Sequence, residues 1–387
     1  MEPLIVANLK FSIDLLKKLC KVNTGNVLFS PLSISSALGP VVLGANGQTA
    51  AQMYKTLHFN HEKIMYHDLY DELYKGGNYR SLKLVNRLFG ERTLNFKDDF
   101  LDMCEEWCYT NLRNADFKTD PEAARKRIND WVQNKTEKNI KNYLDKGDVT
   151  KDTSLVLISA VHFMDKWVNP FKSVPVNQDK GVNWPMMSRM DKFPLGNIPH
   201  RQHQPKHPPI ARILEIPYAN KDMSMIIILP NQSDRLPENS LSVCLLFFSP
   251  SSKLVESITY EKLLEWTEPD NMIYTDVAVK IPLFKMQENY NLEEVLKSLG
   301  ITDLFDEKCD LSGMAPGLLK LPKVMHKSSV EVNEEGTEAD AGGDAVVHGL
   351  SLSNKIQGGF VADRPFLFFI RHNPTKSIIF WSRFISP

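Results

Sequence analysis

Apolar residues in the first third of the chain recur at the spacing of an amphipathic helix. Leu9, Ile13, Leu16 and Leu19 lie three or four positions apart, so they fall on one face of a helix near the start of the chain. Similar spacing, together with helix start and stop signals, predicts further helices. These are Ser30–Leu43, Phe100–Leu112, Pro121–Leu144 and Asn291–Gly300.

The segment Ser30–Leu43 combines a helix start signal with a helix-breaking residue. Pro31 suits the first turn of a helix, and Ser33 is the expected cap. Pro40, however, follows Gly39 in the helix interior. Because an interior proline costs about 3 kcal/mol, we expect this helix to be kinked or short.

Strand patterns dominate the middle and the end of the chain. Ser154–Phe163 is a continuous apolar run, as in a strand that is covered on both faces. Asp276–Phe284 alternates apolar and polar residues, as in a half-buried strand. Other predicted strands are Ala211–Pro217, Met223–Pro230, Pro365–Arg371 and Ser377–Phe384. Helices first and strands later, without βα alternation, predict the α+β class and one domain over residues 1–387.

Composition and charge exclude several kinds of partner. The chain has 46 Lys and Arg against 47 Asp and Glu, a net charge of −1, so we expect no nucleic-acid partner. No apolar run approaches the length of a membrane span, so no membrane partner is expected either. The first residues lack the pattern of a cleavable signal peptide, and the five cysteines are irregularly spaced. A cytoplasmic location is therefore expected, with secretion without a cleaved signal peptide as the alternative.

No catalytic motif occurs in the sequence. The patterns of serine hydrolases, P-loop nucleotide binders and zinc proteases are absent. His200, His203 and His207 have ligand-like spacing, but the prolines among them prevent one helical face, so we expect no metal and no cofactor. His162 and His326 lie in apolar strand contexts and are interpreted as core residues.

The stretch from Glu334 to Phe360 is the most informative part of the chain. It is rich in small, polar and glycine residues and lies between two apolar strand patterns. Unstructured connections longer than about 15 residues are uncommon in compact domains, and those that occur are usually functional or disordered.

Every second residue of this stretch is small and uncharged. One set contains Thr337, Ala339, Ala341, Gly343, Ala345, Val347 and Gly349, whereas the acids Glu338, Asp340 and Asp344 belong to the other set. A β-strand places the two sets on opposite faces. The loop can therefore become a strand with one small face suited to burial and one acidic face suited to water.

Glu334–Ala339 resembles the proximal hinge of the serpin reactive loop. The resemblance extends to NVLFSPLSISSAL at Asn26–Leu38, to NRLFG at Asn86–Gly90, to INDWV at Ile128–Val132 and to DRPFLF at Asp363–Phe368. The chain is thus identified as a member of the serpin superfamily, in its ovalbumin-like intracellular branch (clade B), near the leukocyte elastase inhibitor and granzyme inhibitor types.

The resemblance implies a fold, a function and a set of site residues. Serpins have three β-sheets, eight or nine helices and an exposed reactive loop, here about residues 334–360. They are suicide inhibitors, so the resemblance implies a monomer that forms a covalent complex with a serine protease, or alternatively a cysteine protease. The implied hinge is Glu334, Glu335, Gly336, Thr337, Glu338, Ala339, Asp340 and Ala341. The implied shutter and breach residues are Ser30, Ser33, Ser159, Trp167 and His326.

The position of the scissile bond follows from counting along related loops. Fourteen residues after Gly336, the bond falls at Leu350-Ser351, which suits a chymotrypsin-like or cathepsin G-like protease. This loop is about two residues longer than its relatives, so a bond at Val347 or Leu352 stays open.

Some residues depart from the family pattern and support a second reading. Asp340, Gly342 and Gly343 stand where alanines are usual, and Ser159 replaces a usual asparagine. Glycine adds backbone entropy that slows ordering into a strand. The alternative is therefore a non-inhibitory serpin that acts as a binding, storage or chaperone-like protein.

Overall fold

The computed structural model describes the chain with several gaps. It covers residues 1–60, 66–75, 81–108, 110–174, 184–199, 208–231, 248–317, 319, 321, 323–335 and 359–387. Nine α-helices lie in these ranges. They are α1 (Glu2–Val22), α2 (Pro31–Gly44), α3 (Gly47–Thr56), α4 (Tyr66–Tyr74), α5 (Asp98–Cys108), α6 (Pro121–Lys135), α7 (Phe248–Ser257), α8 (Tyr260–Thr267) and α9 (Glu293–Leu299).

The strands of the described ranges form two hydrogen-bonded sheets. In chain order they are β1 (Val27–Phe29), β2 (Leu82–Glu91), β3 (Arg113–Ala115), β4 (Leu155–Phe163), β5 (Lys172–Val174), β6 (Met186–Ile198), β7 (Ala211–Pro217), β8 (Met223–Pro230), β9 (Ile273–Pro282), β10 (Phe284–Asn291), β11 (Val324–Val332), β12 (Phe360–Val361), β13 (Phe366–His372) and β14 (Ile378–Phe384). The α+β class is confirmed.

Helix α2 differs from expectation at both ends. Its cap is Ser30 rather than Ser33: the Ser30 hydroxyl accepts a hydrogen bond from the Ser33 N–H at 3.2 Å. Because Pro31 occupies the first turn, Ser30 is the residue whose side chain can accept a hydrogen bond from the first N–H groups of the helix. Of the two expected outcomes, a short helix is wrong, because α2 continues through Pro40 to Gly44, and a kink at Pro40 stays a prediction.

Two predicted helices are shorter than the apolar pattern suggested. The helix predicted for residues 100–112 ends at Cys108. The chain then enters β3, where Arg113 pairs with Phe89 of β2. The segment 121–144 ends its helix at Lys135. Beyond it, Glu137, Lys138 and Asn142 have φ angles of 50°, 68° and 49°, which a right-handed helix does not allow.

The five-stranded sheet has the order β10-β11-β4-β2-β3. All nine residues of β4 are buried, because helix α2 packs on one face and a cluster around α6 packs on the other. The cluster contains Ile128, Val132 and Tyr143, together with Val156 and Ile158 of β4. The continuous apolar run of β4 is thus explained by cover on both faces.

Strands β4 and β11 are parallel neighbours in this sheet. Their register runs from Val324 opposite Leu157 to Val330 opposite Phe163, and His326 lies opposite Ser159. Strand β4 is antiparallel to β2, where Ser159 lies opposite Asn86. Two neighbouring strands that run in the same direction leave room, if they separate, for a strand that is antiparallel to both.

The nine-stranded sheet has the order β1-β14-β13-β8-β7-β6-β9-β12, with β5 also paired to β6. Strand β6 belongs to two groups of strands: residues 195–198 pair with β7, and residues 186–195 pair with β9. The resemblance implied three sheets, whereas the described strands form two hydrogen-bonded sheets, because β6 pairs with both β7 and β9.

The chain divides into two compact units. The first contains Met1–Phe163, Gln287–Val330 and Arg371–Trp381, and the second contains Met164–Met286, Glu331–Ile370 and Ser382–Pro387. The expectation of one domain over residues 1–387 stays a prediction. Among the described residues, no helix is long and apolar enough to span a membrane, and no group of His, Cys, Asp or Glu is arranged to hold a metal ion.

Candidate functional site

Four of the predicted shutter residues meet in a buried polar cluster in the first unit. Ser30 and Ser33 come from the start of α2, Ser159 from the middle of β4 and His326 from β11. All four are less than 1% exposed. The sequence places them far apart, and the α2–β4–β11 packing brings them together.

The hydrogen bonds of this cluster fix the tautomer of His326. The Ser30 N–H donates to Nε2 of His326 at 3.0 Å, so Nε2 is an acceptor. The proton of the neutral ring therefore lies on Nδ1, which donates to the Ser159 hydroxyl at 2.9 Å. From there the bonds continue from Ser159 Oγ to Ser33 Oγ at 3.0 Å and from Ser33 Oγ to Asn86 Oδ1 at 2.9 Å. Donors and acceptors thus alternate along one chain of neutral groups.

The interior position of His326 determines its charge. Burial lowers the pKa of His326 from 6.5 to about 3, and the bond with Ser159 only partly opposes this effect. The imidazole is therefore neutral at physiological pH, as the hydrogen-bond chain requires. Ser159, although it replaces the asparagine usual in the family, has its side chain bonded on two sides.

The cluster extends to three residues that the sequence did not single out for this role. The Asn86 amide donates to Ser36 Oγ at 2.7 Å and to the Ser33 carbonyl at 2.9 Å, and Ser36 Oγ lies 2.9 Å from the Tyr70 hydroxyl. Asn86 and Ser36 lie in the segments NRLFG and NVLFSPLSISSAL that resemble serpins, and this resemblance was the available signal for them; Tyr70 carries no such signal. The network stabilises the cluster because each buried polar group has a partner.

Trp167 lies in the second unit, at the start of the hinge. Its indole Nε1 donates to the Asn333 carbonyl at 2.9 Å, and its backbone N–H donates to the Glu335 carbonyl at 3.1 Å. The Phe171 N–H donates to the Glu334 carbonyl at 2.7 Å. The chain is therefore held at Glu334 and Glu335, immediately after β11.

Aromatic packing keeps Trp167 in this position. Its ring stacks on Tyr218 with centroids 4.5 Å apart and an interplanar angle of 11°, and it meets Phe171 edge-on at 5.7 Å. Burial, and to a smaller extent the charge of Asp165, raise the pKa of Tyr218 well above its usual value. Stacked and edge-on pairs of this kind add packing energy beyond the buried area.

The chain is held again at Phe360, within the same unit. Phe360 is fully buried, and β12 pairs in parallel with β9, where Phe360 lies opposite Val279. The Arg212 guanidinium donates to the Gly359 carbonyl at 3.1 Å and lies over the Phe360 ring at 5.5 Å. A Cβ atom at Gly359 would lie 2.9 Å from the Ala278 carbonyl oxygen, so this backbone approach requires glycine.

The remaining site predictions lie outside the described residues. They are Gly336, Thr337, Glu338, Ala339, Asp340 and Ala341 of the hinge, and Leu350 and Ser351 of the reactive bond. His200, His203 and His207 also lie outside. The predicted core residues His162 and His326 are both buried.

The α+β fold, the parallel strand pair and the polar cluster beneath it define a serpin-type protein. Residues 6–387 match the family model described as "Serpin (serine protease inhibitor)". The chain therefore belongs to the serpin family of protease inhibitors, and it is not an enzyme.

Curated relatives and solved structures agree with this assignment. The bovine (Bos taurus) leukocyte elastase inhibitor is 42% identical over 398 residues, and human (Homo sapiens) Serpin B4 is 38% identical over 416 residues; each match covers 100% of both chains. The structure of uncleaved ovalbumin superposes with a TM-score of 0.82 at 28% identity, covering 99% of this chain and 100% of ovalbumin. A structure described as a tumour suppressing serpin gives a TM-score of 0.81 at 30% identity over the full length of both chains. The assignment to the ovalbumin-like branch is confirmed.

Proposed function

We propose that this serpin inhibits chymotrypsin-like or cathepsin G-like serine proteases by cleavage of its loop and insertion of the cut loop between β4 and β11. The protease attacks Leu350-Ser351 and becomes acylated at the Leu350 carbonyl, with Ser351 as the new amino terminus. The loop then enters the sheet before water hydrolyses the ester. We also propose that the protein is monomeric and cytoplasmic.

The parallel pairing of β4 with β11 is the observation that carries this proposal. The hinge begins directly after β11 ends at Val332, so a chain that turns back there runs antiparallel to β11. It also runs antiparallel to β4, because β4 and β11 are parallel. Its alternate small residues, from Thr337 to Gly349, suit the buried face that such a position requires. Ladder hydrogen bonds and the burial of this face favour insertion.

A charge on the small face is the sharpest test. Thr337→Arg places a charge where insertion requires burial, and an unpaired buried charge is strongly unfavourable. We expect wild type to form an SDS-stable complex with chymotrypsin or cathepsin G, and Thr337→Arg to be cut at Leu350 without forming it. The matched control is Glu338→Arg, which places the same charge on the acidic face and should retain complex formation. Complex formation by Thr337→Arg at the wild-type level would contradict insertion.

The non-inhibitory alternative rests on Asp340, Gly342 and Gly343 of the reactive loop. If these residues slow insertion, hydrolysis of the acyl-enzyme releases active protease and cut serpin. The alternative therefore predicts cleavage without a stable complex, and a loop that fails to insert even after the cut leaves the melting temperature unchanged. Mass spectrometry of the cleaved chain also decides between Leu350 and the neighbouring bonds at Val347 and Leu352.

A further inference from the structure

The hydroxyl of Tyr143 lies between β4 and β11. It accepts a hydrogen bond from the Ser159 N–H at 2.9 Å and donates to the Met325 carbonyl at 2.5 Å. The Ser159 carbonyl, at 3.1 Å, is a second acceptor. Tyr143 belongs to neither strand: it follows α6 in the chain and reaches the two strands from the face that α6 covers.

The hydroxyl occupies the place of a ladder hydrogen bond. In a parallel pair, a residue that points toward its neighbour donates its N–H to the residue before its partner. Ser159 lies opposite His326, so its direct acceptor is the carbonyl of Met325. Tyr143 converts this bond into a relay from N–H to O–H to carbonyl. The two strands are thus joined here through a side chain.

Tyr143 is itself fixed in place by its neighbours. Both backbone groups of Leu144 are bonded to the Asn129 side chain on α6: the N–H donates to Oδ1 at 2.7 Å, and the carbonyl accepts from Nδ2 at 2.9 Å. The Tyr143 ring is 1% exposed and packs among the residues of the α6 cluster. Burial raises the pKa of Tyr143, so the hydroxyl stays protonated and can both donate and accept.

A strand that enters between β4 and β11 needs the Ser159 N–H and the Met325 carbonyl for its own ladder bonds. Tyr143 holds both groups. We propose that Tyr143 is a clasp that must release before β4 and β11 separate, and that this release sets the rate at which a strand enters the sheet. The proposal rests on the proposed insertion mechanism, and it assigns to Tyr143 a positioning role in that mechanism.

The test measures strand entry without any protease. A fluorescent synthetic peptide with the sequence of residues 336–349 is mixed in excess with the full chain, and its incorporation rate is recorded. Tyr143→Phe removes only the hydroxyl and leaves two buried backbone groups without their partner. We expect incorporation about tenfold faster than in wild type, which corresponds to about 1.4 kcal/mol in the barrier. Tyr66→Phe is the matched control, because its buried hydroxyl donates to Asn8 Oδ1 at 3.5 Å, between helices α4 and α1 and away from the β4–β11 pair. It should incorporate the peptide at the wild-type rate.

Hydrogen exchange provides a second measurement that does not depend on the peptide. The backbone amides of residues 155–163 and 324–332 should exchange faster in Tyr143→Phe than in wild type. The amides of β13 are the control and should exchange at the same rate in both proteins. If Tyr143→Phe fails to fold, Asn129→Ala, which releases Leu144 beside Tyr143, should act in the same direction. An unchanged or slower peptide rate together with unchanged exchange overturns the clasp, because Ser159 and Met325 would then bond directly and close the sheet.

The outcomes separate the clasp from the inhibitory function. Faster incorporation in Tyr143→Phe, combined with no covalent protease complex in wild type, supports the clasp and refutes the proposed inhibition. A covalent complex in wild type, combined with equal incorporation and exchange rates in both proteins, supports inhibition and refutes the clasp.

Discussion

The buried His326 predicts a specific loss of stability in mild acid. Its pKa is about 3 in the folded protein and 6.5 when unfolded, so the unfolded chain binds more protons between these values. The contribution to stability is complete above pH 6.5 and decreases as the pH falls toward 3. Between pH 7 and pH 5 the linkage relation gives a loss of about 2 kcal/mol from this one group.

The assay compares the urea unfolding of wild type and His326→Gln at pH 7, 6 and 5, with tryptophan fluorescence as the signal. Glutamine keeps an acceptor for the Ser30 N–H and a donor for the Ser159 hydroxyl, but it does not titrate. The other histidines are common to both proteins, so their effects cancel in the difference. We expect the stability advantage of wild type over the variant to shrink by about 2 kcal/mol from pH 7 to pH 5. A difference that stays constant with pH would refute a buried, neutral His326.

Two further predictions concern local anchors of the first unit. The Glu91 carboxylate accepts the N–H groups of Thr93, Phe117 and Lys118 at 2.8–3.1 Å; burial alone raises its pKa, but these bonds outweigh that effect and lower it. Glu91→Gln should therefore lower the free energy of unfolding at pH 7 by about 1–3 kcal/mol, as measured by urea titration. The difference between wild type and variant should become smaller below about pH 4. Glu105→Gln, at an exposed position, is the control and should have no effect. The Asp120 side chain caps α6 by accepting a hydrogen bond from the Ala123 N–H at 3.0 Å. Asp120→Ala should therefore lower the free energy of unfolding by about 1 kcal/mol, measured as a lower urea midpoint. An unchanged midpoint, or an equal loss in Asp130→Ala at an exposed position of the same helix, would contradict the capping role.

The sequence was most informative where local pattern and final environment agree. The apolar run of β4 and the alternation of Val277, Val279 and Ile281 predicted buried and half-buried strands, and the structure confirms both. The predicted helix Asn291–Gly300 also ends where the structure ends α9, and Gly300 has a φ angle of 118° that favours glycine. In each case the residues that decide the structure are neighbours in the chain.

The sequence was least informative where distant segments decide the structure. Helix α6 ends at Lys135 because the following segment folds back under α6, which apolar spacing does not reveal. The role of Tyr143 depends on contacts with Ser159 and Met325, which are 16 and 182 positions away. The polar cluster was predicted only through the resemblance to serpins. A serine or histidine within an apolar strand does not by itself indicate which residues of the neighbouring strands and helices it will contact.

The two attachment points of the loop, at Glu334–Glu335 and at Gly359–Phe360, determine what a cut at Leu350 leaves behind. The part after the cut begins at Ser351 and still contains Phe360, β13 and β14, whose residues are almost entirely buried. The fragment 351–387 should therefore remain bound without a covalent link. Under native conditions the cut protein should have the mass of the whole chain plus one water, and only denaturation should release the fragment. Absence of a band shift on a native gel is thus no evidence that the loop is intact.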